Sequence, residues 1–303
     1  MLFLALAVAC SLAIAVVFKV AERRDLDRTA LLTVNYLAGA ALAVALQGVE
    51  PPAGLSGGLV ALGVGQGVLF IVGFWLFALA IREAGMGLAA GVMRLSVVVP
   101  FLASWLIWGE APTAWQLVGL ALAGGAFFLV ARPAAEPPGK LGPPDLGDDS
   151  PEAGVTDGKT VGVLALLFLS GGLVDVNMKV FRESFSVAAG GTTPIATFLV
   201  FVFGVAFLVG AAVVVTTGLR TGRWPSRAAW LWGTGLGVVN YCSAEFLLRA
   251  LERLDGTVAF PANSVAIVFG AALIGRVVWQ ERLSRANLAG LGLAAAALVL
   301  LAG

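Results

Sequence analysis

Ten long apolar runs constrain this sequence more than any other feature. They lie at approximately 2–20, 29–47, 58–81, 86–107, 113–131, 161–182, 193–217, 228–250, 256–278 and 284–302. A helix needs roughly 20 apolar residues to cross the hydrocarbon core of a bilayer. A strand would alternate polar and apolar residues, whereas these runs are apolar on every face, so helices are the spanning structure that fits. Hydrophobic residues make up 59% of the 303, glycine supplies 39 more, and charged residues only 12%, against roughly 25% in an ordinary soluble domain. That leaves too little polar surface for a fold in water and excludes a soluble enzyme. A net charge of +1 offers no basic footprint, so no nucleic acid is expected as a partner. The partners expected are the lipid bilayer and a small molecule.

Histidine is absent. A HExxH protease, a His-ligated haem and a Ser-His-Asp triad are therefore excluded. Cys10 and Cys242 sit inside apolar runs, too few and too far apart for a disulfide framework or a thiolate metal site. No cofactor or metal is expected. The first run lacks a basic leader and is too long for the apolar part of a signal peptide, so it is expected to stay as a helix of the mature protein.

One segment breaks the pattern. Residues 132–159 read RPAAEPPGKLGPPDLGDDSPEAGVTDGK, rich in proline and glycine and acidic, as expected of a flexible linker. It divides the chain into five spans (1–131) and five more (160–303). The two parts resemble each other. Arg82 to Gly119 matches Arg253 to Gly290 at a constant offset of 171, pairing Gly85 with Gly256, Trp108 with Trp279 and Glu110 with Glu281. Gly63, Gly65 and Gly67 match Gly233, Gly235 and Gly237 at an offset of 170, and Phe18-Lys19-Val20 matches Met178-Lys179-Val180.

An odd number of spans per copy makes the second copy enter the membrane from the opposite side. Arginine placement agrees with this. Arg23, Arg24, Arg28 and Arg82 fall in loops one and three, and Arg220, Arg223, Arg227, Arg282 and Arg285 in loops seven and nine. Basic loops stay cytoplasmic, so the odd loops are expected inside and both termini outside, most naturally in a cell (inner) membrane. Arg182, Arg249 and Arg253 are exceptions. The fold expected is all-α and integral to the membrane: ten transmembrane helices in two inverted five-helix repeats.

Small residues four apart let helices approach closely in lipid. Gly63/Gly67 and Gly233/Gly237 suggest that spans three and eight meet each other or a partner subunit, which leaves a homodimer open. Pro100 and Pro261 should kink or unwind spans four and nine. Thr113 and Ser284 are suited to cap spans five and ten, with Glu110 and Glu281 close to those positive helix ends.

At Glu110 the chain reads WLIWGEAPTAWQLVGLALAGGAFFLV, and at Glu281 VVWQERLSRANLAGLGLAAAALVLLAG. An aromatic helix end, a glutamate, a Thr or Ser three residues on and a glycine in the next span resemble the close of an EamA repeat. Two five-helix repeats of this kind resemble the drug/metabolite transporter superfamily. The resemblance implies transport of a small metabolite by alternating access and names no substrate.

Ionisable groups inside a bilayer are costly and mark function by default. Asp175 and Lys179 are four apart and should share a face, as should Glu245 and Arg249. Arg94 has only apolar neighbours on its helix face, so it needs a partner on another helix or an anionic group on a substrate. Its planar fork suits a carboxylate. The repeat pairs Arg94 with Val265 and Glu245 with Trp75, so these charges are not part of the shared scaffold. The candidate substrate-binding residues are Arg94, Glu245, Asn35, Tyr36, Trp75, Asn240, Tyr241 and Asn263. The candidate coupling residues are Glu245, Asp175, Lys179 and Lys19. A secondary carrier is expected, with proton coupling through a carboxylate. A channel or membrane scaffold is the alternative, with an intramembrane enzyme last.

Overall fold

The computed structural model describes residues 1–24, 26–47, 55–84, 86–130, 158–187, 190, 193–222, 224–280 and 284–302. Nearly all of the expected linker, together with Gly85, Arg223, Glu281 and Arg282, lies outside them. The helices are α1 (Leu2–Arg23), α2 (Arg28–Gln47), α3 (Gly57–Ala84), α4 (Met86–Leu95), α5 (Val98–Trp108), α6 (Ala114–Val130), α7 (Gly158–Ser184), α8 (Ile195–Thr221), α9 (Arg227–Leu251), α10 (Gly256–Val278) and α11 (Arg285–Ala302). Helices α4 and α5 together form one span, so ten span-scale segments are present among the described residues. Seven of these are long and apolar enough to cross a membrane. Of the other three, α6 and α11 are apolar but short, and α9 carries Arg227, Glu245 and Arg249.

Helices α2, α6, α9 and α11 start where short polar side chains can satisfy their free amides. Asp27 Oδ1 accepts from the amides of Thr29 (2.8 Å) and Ala30 (3.2 Å) at α2. Ser226 Oγ accepts from the Ala229 amide at 3.1 Å at α9. Thr113 and Ser284 cap α6 and α11 as expected, and each belongs to a reciprocal box. The Gln116 amide donates to Thr113 Oγ1 (3.3 Å) and the Thr113 amide to Gln116 Oε1 (2.9 Å). Asn287 and Ser284 repeat the exchange at 3.1 and 2.9 Å. Asn287 Nδ2 also donates to the carbonyls of Leu129 and Val130 (3.2 and 3.0 Å), tying the start of α11 to the end of α6.

The two prolines behave differently. Pro100 lies just after the break between α4 and α5. There the chain tightens to bonds spanning three residues, Val97 amide to Arg94 carbonyl (3.3 Å) and Val99 amide to Ser96 carbonyl (3.0 Å). Pro261, by contrast, lies inside an unbroken α10. It sits in the second turn, so the carbonyl it leaves without a donor belongs to the first turn, where little helix precedes it to be disrupted.

The bundle interleaves the two halves of the chain. Helix α2 packs on α8 and α9, α3 on α7 and α8, α1 on α9 and α10, α7 on α4 and α5, and α6 on α11. The glycine pairs face these neighbours and not each other, contrary to the expectation that spans three and eight meet. A methyl on Gly67 would lie 2.7 Å from the Val202 carbonyl of α8, and one on Gly63 2.5 Å from the Phe201 Cβ. Gly233 and Gly237 press likewise on Val34 and the Asn35 carbonyl of α2. Spacing identifies a close-packing face but not what packs on it. Both faces are covered within the chain and are not free for a second copy.

Three sets of contacts fix which connections share an end. Arg23 lies over the Trp279 ring and Arg24 over Trp232, joining connections one, seven and nine. Lys159 pairs with Glu83 at 2.8 Å, joining three and five. The Asn287 bonds join five and nine. We call this the linker end. The opposite, terminal end holds the start of α1, where Arg249 and Arg253 lie over the Phe3 ring at 5.8 and 5.6 Å.

Candidate functional site

The polar interior is built on α9 and the helices around it. Asn240 Nδ2 donates to Asn35 Oδ1 of α2 at 3.2 Å, and Asn35 is only 1% exposed. The next residue on each helix is a tyrosine, and these join an aromatic cluster. Ring centroids are 6.3 Å apart for Tyr36 and Phe203, 6.5 Å for Tyr36 and Phe70, 6.4 Å for Phe70 and Phe203, and 6.1 Å for Phe203 and Tyr241. Gly39 permits this, because a side chain there would meet the Phe203 ring at 2.5 Å. Four expected residues (Asn35, Tyr36, Asn240 and Tyr241) are thus brought together across two halves of the chain. Sequence reasoning missed Ser11 and Ser243, whose hydroxyls lie 2.8 Å apart between α1 and α9. Serines in apolar helices are common, and no spacing within either helix pointed to the other.

One turn along α9, Arg249 donates to Glu245 Oε1 from Nε (2.9 Å) and Nη2 (2.6 Å). This is the pair expected from helical spacing, and Glu245 also lies against Tyr241. Arg94 occupies the last turn of α4, at the break in span four. The negative end of a helix favours a cation there, and Arg94 interacts electrostatically with Asp175 of α7, the helix on which α4 packs.

The ion pairs of Lys179 correct its expected pairing with Asp175. Lys179 is 1% exposed and pairs with Glu183, one turn nearer the helix end, at 2.8 Å, and with Glu110. The long lysine chain reaches toward the end of the helix, where a carboxylate is less desolvated than at mid-span. Glu110 is also displaced from its expected role at the start of α6. Its Oε2 accepts the Gly256 amide at 2.6 Å and so caps α10 instead. The matching Glu281 lies outside the described residues.

The remaining candidates are scattered. Trp75 is 58% exposed and lines a shallow cleft with Thr29, Thr33, Tyr36 and Val209, away from Glu245. Lys19 Nζ stands 5.1 Å from the Trp279 ring centroid at the linker end of a cleft between α1 and α10. Asn263 of α10 has its Oδ1 buried without a protein partner. Gln66 of α3 donates to the Val174 carbonyl of α7 at 3.1 Å.

A crystal structure of another protein superposes on this fold with a TM-score of 0.72, at 15% identity, covering 99% of this chain and 94% of that one. The likeness is one of fold alone. An uncharacterised protein of Haemophilus influenzae is 24% identical over 298 residues, covering 94% of this chain and 92% of its own. Residues 1–132 match the EamA-like transporter family. This agrees with the drug/metabolite transporter superfamily. The EamA-like segment ends with α6, so it takes in Asn35, Tyr36, Phe70, Arg94 and Glu110. It meets the second half of the chain at the Asn35–Asn240, Ser11–Ser243 and Glu110–Lys179 pairs.

Proposed function

We propose that the protein is a secondary active carrier that moves a small polar or amphipathic metabolite by alternating access between two inverted five-helix repeats. The observation that carries this reading is the set of charged and polar groups held where the two halves meet: Asn35 with Asn240, Glu245 with Arg249, and Arg94 in electrostatic interaction with Asp175. Charge inside a bilayer is retained for a use, and inverted-repeat carriers bind substrate between their repeats near mid-membrane. The packing supports the repeat. The contact of α1 with α9 has a counterpart in α7 with α3, that of α2 with α9 in α8 with α3, and that of α1 with α10 in α7 with the α4–α5 span. A channel or a scaffold needs no such unequal interior charges. The membrane-transporter family and the lack of a histidine argue against an intramembrane enzyme.

In this reading Arg94 binds an anionic group of the substrate, and Asp175 or Glu245 takes up the coupling proton. The test is a thermal-shift screen of purified protein against a metabolite library, comparing wild type with Arg94→Ala. A ligand that raises the Tm of wild type only is expected, and it should show saturable uptake in proteoliposomes. A ligand that shifts both proteins equally removes Arg94 from the site. Uptake of that ligand should respond to an imposed pH gradient, and the double variant Asp175→Asn/Glu245→Gln should abolish the response. An unchanged response ends the coupling assignment.

A further inference from the structure

We infer that Glu110, Lys179 and the first turn of α10 form a latch that closes the terminal end of the carrier, and that α10 exchanges one carboxylate cap for another when the latch opens. The proposal rests on the carrier reading above. Lys179 is buried, and a buried ammonium is tolerable only while paired. Glu110 shares that pairing with Glu183, using one oxygen, and with the other accepts the Gly256 amide at 2.6 Å. The latch therefore joins the end of α5, from the first half of the chain, to α7 and α10 from the second. Ser104 of α5 and the Gly256 backbone are in close apposition beneath it, with no room for a side chain at Gly256.

The telling detail is Asp255. It stands at the N-cap position of α10 with extended backbone (φ −62°, ψ 145°), the residue type and conformation that normally cap a helix, yet its side chain makes no cap bond. The cap comes instead from Glu110, 146 residues away. A cap with only a structural role would be served by the local aspartate. With Asp255 in reserve, Glu110 can leave without stranding the amides of α10, and opening costs one interaction less. The matching pair at the linker end, Lys19 over Trp279 (5.1 Å), repeats Lys179 over Trp108 (6.0 Å), so each end of the molecule carries a lysine on an aromatic ring at a corresponding place.

The test uses the full chain with both native cysteines replaced (Cys10→Ser, Cys242→Ser). One reporter cysteine is placed beneath the latch (Ala262→Cys), or in the linker-end cleft between α1 and α10 (Ala271→Cys). Labelling rates with a water-soluble maleimide are compared. Glu110→Gln removes a charge-assisted bond and should speed labelling beneath the latch about tenfold, while slowing labelling at the linker end. Asp255→Ala removes the reserve cap and should do the reverse. If Glu110→Gln changes only the nearby reporter and Asp255→Ala changes neither, the cap is merely structural and the proposal fails. Rates unchanged in every variant also overturn it. Should Glu110→Gln not fold, the Asp255→Ala arm decides alone, because Asp255 is exposed and its side chain makes no cap bond. None of these rates depends on a transport assay, so loss of the carrier reading and loss of the latch remain distinguishable.

Discussion

At the scale of single residues, two acid–base pairs with the same i,i+4 spacing near the terminal end differ in what surrounds them. Arg249 is 43% exposed beside Glu245, whereas Lys179 is 1% exposed beside Glu183 and Glu110. An exposed pair is worth about 0–1 kcal/mol. Breaking a buried pair leaves an uncompensated charge and costs roughly 3–5 kcal/mol. Lys179→Ala should therefore lower the Tm in detergent by several degrees, and Arg249→Ala should barely move it. Equal shifts would show that burial is not what separates the pairs. Only part of this was legible in the sequence. The Glu245–Arg249 pair was, because both partners lie on one helix and the helical period makes them neighbours. The Lys179–Glu110 pair was not, because its partners are 69 residues apart, and local period carries no information on which helices meet. Asp175 fell between the two cases. Its period suggested Lys179, but α7 also packs on α4, which brings Asp175 into electrostatic interaction with Arg94.

At the scale of elements, the helices themselves were readable because a bilayer permits so few alternatives to long apolar runs. Every expected span overlaps a helix or, in span four, a broken pair. Their partners were not readable, and the glycines show why. Gly63, Gly65 and Gly67 are equivalent in sequence, as are Gly233, Gly235 and Gly237, yet only the outer members of each set face a neighbour. A methyl added at Gly65 or Gly235 would meet nothing within 4 Å. Gly67→Leu and Gly237→Leu should each destabilise the bundle by about 1–3 kcal/mol through overpacking, whereas Gly65→Ala and Gly235→Ala should leave thermal unfolding unchanged. A destabilised Gly65→Ala protein would mean that α3 rests on something other than α8.

At the scale of the whole molecule, the connections between spans alternate between two ends. Connections one, three, five, seven and nine gather at one end through separate contacts: Arg23 and Arg24 on tryptophans, Lys159 on Glu83, and Asn287 on the end of α6. The arginines that break the charge bias lie at the other end, where each has a local partner. Arg182 pairs with Glu183 at 2.7 Å, Arg249 with Glu245, and Arg253 stacks over Phe3. A charge already satisfied by its neighbours pulls less on the topology than one in an open loop. The arrangement makes a direct prediction for single-cysteine proteins in sealed vesicles. Asp27→Cys in the first connection and Trp224→Cys in the seventh should react with an impermeant maleimide from the same face. Val187→Cys, which is 61% exposed after α7 in the sixth connection, should react only from the opposite face. Labelling of Asp27→Cys and Val187→Cys from one face would mean that the second half enters the membrane in the same sense as the first. Corresponding helices would then run parallel, and the exchange of contacts between α1–α9 and α7–α3 could not arise from an axis lying in the membrane plane.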